Sequence, residues 1–257
     1  MSMILYSLFS GSGGNCFLVG DGETKFLVDV GVSARRVETA LGEIGYSLDD
    51  ISAIFITHEH ADHVKGLETL EKRRKIPVHM TLKTARAFIF DVGSPIFPSL
   101  FAHEGDFSVT IGGFTVSSFP VPHDAACPVG YVFEKDGVRV GIATDTGRVT
   151  DEMIKNLVGC RAAVIEANHD ERSLMLGPYP PYLKARIASD DGHLSNRDAA
   201  SLAKLLSDGG LLSLMLAHLS KENNSPSLAL EEVTAAVGDG VTVVCSSPDF
   251  PTELKIF

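Results

Sequence analysis

The chain has 257 residues, 44% hydrophobic and 21% charged, with 24 Gly and no Trp; apolar material on this scale excludes intrinsic disorder and a disulfide-stapled mini-protein. Its 33 acidic and 22 basic residues leave a formal charge of −11, which argues against a general polyanion-binding surface, because non-specific nucleic-acid affinity comes mainly from Lys and Arg neutralising phosphates. A local cationic site remains open, and a bound metal would supply one.

In chain order, residues 4–9, 16–19 and 25–29 read as strands separated by Gly-rich turns. Residues 33–44 carry Val37, Leu41 and Ile44 at helical spacing, and residues 51–56 form a near-continuous apolar run of strand length. Beyond His58–His63, residues 64–74 read as a helix, 78–80 as a strand and 82–90 as a helix. Residues 107–111 and 114–119 flank Gly112-Gly113, a hairpin signal, and 129–134 and 138–143 flank Lys135-Asp136-Gly137, another. A strand at 162–166, a helix at 195–206, a strand at 211–216, a helix at 227–237 and a strand at 241–245 follow. Ser195 and Asp198 are spaced for a capping box. Two β-rich then α-containing halves without a linker predict one α/β (α+β) domain over residues 1–257, a sandwich of sheets with helices outside.

Cys16, Cys127, Cys160 and Cys245 are scattered, with no C-x-x-C pair, and read as reduced thiols. The opening Met1-Ser2-Met3-Ile4-Leu5-Tyr6 is a poor signal peptide, and no apolar run approaches the ~20 residues of a membrane span. A soluble, cytoplasmic protein without a membrane partner is expected.

The chemistry is concentrated in Thr57-His58-Glu59-His60-Ala61-Asp62-His63-Val64, where three imidazoles and the Asp62 carboxylate fall in six residues directly after a buried strand. Strand alternation is expected to put His58 and His60 on one side, and the turn into the next helix to bring Asp62 and His63 back to the same point. Imidazole and carboxylate together suit zinc or manganese-class divalent ions. A polar loop that happens to hold histidines is the alternative, and their density counts against it.

His58-x-His60-x-Asp62-His63 resembles the signature of the metallo-β-lactamase fold, which implies a four-layer αββα sandwich with a two-metal site on one edge. The other ligands that such a fold requires are met downstream, each after an expected strand. They are His123 in Val121-Pro122-His123-Asp124-Ala125, Asp145 in Ala143-Thr144-Asp145-Thr146-Gly147, and His218 in Leu216-Ala217-His218-Leu219-Ser220. By that resemblance His58, His60 and His123 would hold one ion, Asp62, His63 and His218 the other, and Asp145 would bridge them. The two divalent ions would be zinc or manganese, with iron or nickel also accommodated. Cations roughly 3.5–4 Å apart can share a hydroxide and lower the pKa of bound water to about 7, so that a nucleophile exists at neutral pH. Glu59 and Glu166 are candidates for orienting the imidazoles, or else face solvent.

The third-ligand segment Pro122-His123-Asp124-Ala125 departs from the G-H-T-x-G-H of glyoxalase II-type thiolester hydrolases. The His123, Asp145 and His218 segments are more similar to the phosphodiesterase branch that includes the tRNA 3′-processing nucleases. There Asp191-Gly192-His193-Leu194-Ser195 resembles a segment whose histidine donates a proton or contacts phosphate. Closer still is the YycJ (WalJ) family of bacterial metallo-hydrolases. The resemblance rests on Ser10-Gly11-Ser12-Gly13-Gly14-Asn15, Glu166-Ala167-Asn168-His169-Asp170, Gly192-His193-Leu194-Ser195-Asn196 and Leu219-Ser220-Lys221-Glu222-Asn223-Asn224. It implies an exonuclease-like phosphodiesterase acting on DNA from 5′ ends, with a DNA end or a small phosphodiester as partner.

In that chemistry Asp62 is expected to orient and deprotonate the hydroxide and His193 to protonate the leaving oxygen. Ser12, Asn15 and His169 are candidate substrate contacts. A metal-dependent hydrolase of a small molecule (cyclic phosphodiester, lactone or thiolester) is the alternative. A binding module on a dead fold would be expected to have lost ligands, and the set here is full.

Four further features have plainer readings. Gly11-Ser12-Gly13-Gly14 fits a positive-φ hairpin turn better than a phosphate nest. Lys72-Arg73-Arg74-Lys75 fits a helix C-terminus as well as a nucleic-acid contact. His79 and His103 read as ordinary residues, and Phe88, Phe90, Phe97 and Phe101 as core packing rather than a base-stacking strip.

Overall fold

The apolar runs sort into two sheets in the computed structural model, which describes residues 3–90 and 97–257. The first part of the chain gives β1 (Ile4–Phe9), β2 (Cys16–Gly20), β3 (Lys25–Val28), α1 (Ala34–Glu43), β4 (Ile51–Phe55), α2 (Ala61–Val64), α3 (Leu67–Arg74), β5 (Val78–Thr81), α4 (Leu82–Phe90) and β6 (Leu100–His103). The remainder begins with β7 (Ser108–Ile111), β8 (Phe114–Pro120), β9 (Val129–Lys135), β10 (Val138–Ala143), α5 (Asp151–Leu157), β11 (Ala162–Glu166), α6 (Glu171–Leu176) and α7 (Pro181–Ile187). It ends with α8 (Asn196–Asp208), β12 (Ser213–Ala217), α9 (Pro226–Val237), β13 (Thr242–Cys245) and β14 (Thr252–Glu253). One seven-stranded sheet has the order β14-β1-β2-β3-β4-β5-β6, and the other β13-β12-β11-β10-β9-β8-β7.

Alternation along the strands builds three cores, which is why the central runs are apolar on both faces. Phe26 and Val28 of β3, Phe55 of β4 and Val164 of β11 point between the sheets. Leu27 and Ile54 pack under α1, α3 and α4, and Ile165 packs under α5, α8 and α9. The layers are therefore helix, sheet, sheet, helix, as expected. Phe26 meets Phe55 and Phe114 edge-on at 5.6 and 5.3 Å between centroids, the geometry that aromatic quadrupoles prefer. Near the histidine segment the sheets are tied directly: Tyr131 Oη donates to the Ile56 carbonyl (2.6 Å), and Val129 N–H to that of Thr57 (3.1 Å).

Three local expectations are corrected. β4 ends at Phe55, so His58 and His60 lie on a loop, and strand alternation is not what aligns them. The single helix expected over 64–74 is two, because Gly66 passes against the 30–32 segment. Its N–H bonds the Val30 carbonyl (2.9 Å), and a Cβ there would lie 2.2 Å from the Val32 carbonyl oxygen. Ser195 caps α8 by accepting from Asp198 N–H (3.1 Å), but the Asp198 carboxylate takes the Ser195 hydroxyl (2.8 Å), so the cap is one-sided rather than a box. All four cysteines are free, and no helix among the described residues is long and apolar enough to cross a membrane.

Candidate metal centre

The chemistry-bearing residues emerge where strands of both sheets end. Asp29 follows β3, residues 57–60 follow β4, and Asp62 and His63 sit on α2; His123, Asp145 and His218 follow β8, β10 and β12. Asp29, Asp145 and His218 all take left-handed backbone conformations (φ 61°, 55° and 55°). Asp and His are among the few non-glycine residues enriched there, and each turn swings a side chain over the same edge.

The rings are fixed by what lies behind them. Asp29 is fully buried; it accepts from Thr57 N–H (2.8 Å) and Thr57 Oγ1 (2.9 Å), and pairs with His63 Nδ1 at 2.8 Å. Because the Thr57 hydroxyl is spent on Asp29, it accepts from His58 Nδ1 (3.0 Å). His123 Nδ1 donates to the Gly192 carbonyl (3.0 Å), and His218 Nδ1 to Glu166 Oε1 (2.9 Å). In all four rings Nδ1 faces a fixed acceptor, which leaves Nε2 as the nitrogen that could hold a cation. His60 is reversed, with its Nδ1 3.3 Å from His123 Nε2.

These atoms gather in two groups, His58, His60 and His123, and Asp62, His63, Asp145 and His218, with the atoms of each group within 4.8 Å of one another. Asp145 lies between them, with Oδ2 3.3 Å from His63 Nε2 and Oδ1 3.9 Å from His123 Nε2. His58 Nε2, His218 Nε2 and Asp145 Oδ2 are buried without a hydrogen-bond partner, which is costly in a polar cluster and fits a cation among them. Burial pushes the Asp62 and Asp145 carboxyls up, but the His218 and His63 imidazoles outweigh it and hold both well below the usual carboxylate range. Conversely, burial lowers His218, while Asp145, Asp62 and Glu166 raise it to about 10. Without metal, imidazolium carries the positive charge that the carboxylates require.

A third group, Asp145, Glu166, His193 and His218, adjoins these. Glu166 Oε1 receives both His193 Nδ1 (2.8 Å) and His218 Nδ1, and Oε2 accepts from Thr146 N–H (2.8 Å). His193 stands where two clefts meet, of ≈ 180 and ≈ 320 Å³. Ser12 is exposed on the smaller and His169 lines the larger. Asn15 is fully buried: its Oδ1 accepts from Gly11 N–H (2.9 Å) and its Nδ2 lies 3.1 Å from His63 Nε2, at the inner edge of that ring. Glu59 does not orient a ring; its Oε1 accepts from Ala126 N–H (2.8 Å). Thr57 and Gly192 stand in the quoted motifs without a role assigned to them, and Asp29 lies outside those motifs, although Asp29-Val30-Gly31 at the end of an apolar run is a recognisable turn.

The remaining motifs serve structure. Gly11 and Gly14 have φ of 126° and 139° in the β1–β2 hairpin. Lys72, Arg73 and Arg74 pair with Glu68, Glu38 and Asp49 at the end of α3. His79 Nδ1 lies 3.0 Å from His103 Nε2 in a stack that includes Phe55 and Phe101. Phe88 and Phe97 are buried, whereas Phe90 and Phe101 are exposed, so the four phenylalanines share neither one core nor one strip.

Residues 24–218 match the family model of a beta-lactamase superfamily domain. The exodeoxyribonuclease YycJ of Bacillus anthracis is 38% identical over 257 residues, covering 96% of this chain and 97% of that one. The exodeoxyribonuclease WalJ of Streptococcus pneumoniae serotype 2 (strain D39) is 37% identical over 256 residues, covering 96% and 95%. Among solved structures, the metallo-beta-lactamase fold protein YhfI of Bacillus subtilis superposes with a TM-score of 0.75 at 17% identity, over 98% of this chain and all of that one (100%), a likeness of fold.

Proposed function

We propose that this chain, which belongs to the β-lactamase superfamily and within it to the family of YycJ and WalJ, is a two-metal phosphodiesterase whose substrate is the end of a DNA strand. It is a metal-dependent hydrolase; the finer reading assigns one ion to His58, His60 and His123, the other to Asp62, His63 and His218, and Asp145 to both. The observation that carries it is the pair of adjoining ligand groups in which four imidazoles are each turned by an acceptor on the far nitrogen. Bound there, two divalent ions would supply a nucleophile at neutral pH and positive charge for the phosphoryl oxygens.

The protein's own groups complete the chemistry. Asp62 Oδ2 lies 3.6 Å from His63 Nε2 and 3.5 Å from His218 Nε2, where its position rather than its basicity would let it orient the attacking oxygen and receive its proton. His193 has Nδ1 tied to Glu166, leaving Nε2 to deliver a proton to the departing oxygen. Burial disfavours its charged form, but the Glu166 carboxylate outweighs that and raises its pKa. Glu166 itself is held at about 2; burial raises it, and His193 and His218 outweigh that.

Both full-length relatives bear the name exodeoxyribonuclease, which supports DNA as substrate, and the two modest clefts suit a strand end better than a duplex groove. We read residues 1–257 as one cytoplasmic domain, since each ligand group draws on both sheets and the thiols are free. The test is a panel of bis-p-nitrophenyl phosphate, 5′-labelled DNA, a thiolester and a lactone, offered to protein reconstituted with Mn²⁺ or Zn²⁺. Turnover of the diester and of DNA ends is expected. Thiolester or lactone turnover without diester activity would overturn the reading in favour of a small-molecule hydrolase, which the cleft sizes also suit.

A further inference from the structure

Four of the imidazoles in the two ligand groups have an acceptor at Nδ1: Thr57 for His58, Asp29 for His63, the Gly192 carbonyl for His123 and Glu166 for His218. His60 is the exception. Its Nδ1 lies 3.3 Å from His123 Nε2, on the ligand side, so that Nε2 is its far nitrogen. The side chain is 31% exposed, and among the described residues nothing forms a hydrogen bond to Nε2. An imidazole so placed can offer Nδ1 to a cation, but no bond behind it fixes its tautomer or its orientation.

The carboxylate that faces this nitrogen is Asp124, with Oδ1 4.0 Å from His60 Nε2. That is an ion-pair distance, and roughly 1 Å of side-chain rotation would bring it to hydrogen-bond length. Asp124 is fixed from its other side. Its N–H donates to the Asp191 carbonyl (3.0 Å), and its Oδ2 accepts from Arg186 Nε and Nη2, both at 2.7 Å. Oδ1 is therefore the open oxygen. It also lies 3.4 Å from His123 Nε2, but a neutral His123 keeps its proton on Nδ1 against the Gly192 carbonyl and has none to give there.

Resting on the assignment of one ion to His58, His60 and His123, we infer that Asp124 is the positioning residue of His60: it accepts from Nε2–H, turns Nδ1 toward the ion, and is itself held in place by Arg186. His60 then has what its four neighbours have, with the two nitrogens exchanged. Arg186 belongs to α7 and lines the smaller cleft, so one carboxylate joins the wall of that cleft to the ligand group.

The experiment is a calorimetric Mn²⁺ titration of the full chain, with Co²⁺ absorption to report the coordination sphere. Asp124→Ala should weaken one ion about 10-fold, the lower end for a partner of this kind. Asp124→Asn, which keeps an oxygen acceptor, should recover part of that loss, and its Co²⁺ bands should match those of the wild type because no ligand is removed. Arg186→Ala separates positioning from simple charge. Taking away a neighbouring cation would tighten a metal ion if Coulomb attraction alone mattered, whereas releasing Asp124 should weaken it, by less than Asp124→Ala does. In the Asp124→Ala background Arg186→Ala should add nothing, since it acts through that carboxylate. The Arg186 side chain is 59% exposed, so this variant keeps the test decisive should Asp124→Ala fail to fold. Tighter or unchanged binding in Arg186→Ala, an Asn variant as weak as the Ala one, or altered Co²⁺ bands that mark Asp124 as a direct ligand would overturn the inference and leave the two-ion reading standing. A His60→Ala protein that binds as many ions as the wild type, and as tightly, would overturn the ligand assignment and the inference with it.

Discussion

Replacing Gly31 by Ala tests how the centre is held. A Cβ at residue 31 would lie 1.6 Å from the Asp62 carbonyl oxygen, 2.3 Å from its carbon and 2.5 Å from Asn15 N. Carbon contacts relax only near 3.5 Å, so the Asp62 backbone would have to move by roughly 2 Å. Three hydrogen bonds fasten that crossing: Asn15 N–H to Asp62 O (2.8 Å), Gly31 N–H to Asn15 O (2.8 Å) and Val30 N–H to His63 O (2.7 Å). Overpacking costs about 1–3 kcal/mol, and each of one or two lost bonds about 1 kcal/mol, so the loss should be about 2–5 kcal/mol. For a chain of this size that lowers Tm by roughly 4–20 °C. Because Asp62 and His63 ride on the displaced turn, metal affinity should fall too, and a misplacement on the order of 1 Å costs ~10²-fold in rate. Calorimetric scans in chelator, Mn²⁺ titration and kcat/KM on bis-p-nitrophenyl phosphate measure the three effects. Gly13→Ala is the control, since nothing lies within 4 Å of its Cβ and it should melt like the wild type. A Gly31→Ala protein that melts within a degree or two of wild type and binds Mn²⁺ equally well would refute the reasoning.

Metal analysis after reconstitution should find ion content lowered at both sites in Asp145→Ala and at one in His218→Ala; two ions retained in both would sink the ligand assignment. His193→Ala should keep its metal and lose on the order of 10²-fold on DNA, but far less on a p-nitrophenyl diester, whose leaving group departs without protonation. Equal losses on the two substrates would make His193 a phosphate-positioning group instead. Away from the centre, burial raises the Asp21 carboxyl, but Lys135 Nζ at 2.6 Å and the N–H groups of Thr24 and Glu23 outweigh it and hold it at about 2. A folded pKa below the unfolded value of about 3.9 gives stability that is full above about pH 4 and lost as pH falls through 2, roughly 1 kcal/mol once solvent screening is allowed for. Denaturant titrations should therefore find a flatter acid limb between pH 4 and 2 in Asp21→Asn, and an unchanged limb would count against the pair.

Much of the architecture was legible because its strands are buried on both faces and read as unbroken apolar runs, as at residues 51–56 and 162–166. The ligand candidates were legible because each stands just beyond such a run, where a strand end delivers it to the common edge. What lay hidden was long-range. Asp29 meets Thr57 and His63 across 28 and 34 residues, and His123 reaches the Gly192 carbonyl across 69, so no local spacing announces those partners. The helices α5, α6 and α7 escaped notice because six or seven residues are too few to display a period. β6 escaped because an edge strand with exposed Phe101 and Ala102 lacks the apolar signal of its neighbours.

Each ligand group takes members from both sheets: His58 and His60 with His123, and Asp62 and His63 with Asp145 and His218. Mechanically, an ion held in either position would be a rivet through two plates. The plates also share the apolar layer around Phe26, Phe55 and Phe133, so a chelator that draws the rivets does not part them along their whole length. It would free the rim where the rivets sat, and the lowest-energy opening of the protein would shift to the segments that carry the candidate ligands. On the proposed two-ion reading, metal supply would set the stiffness of that edge as well as its reactivity.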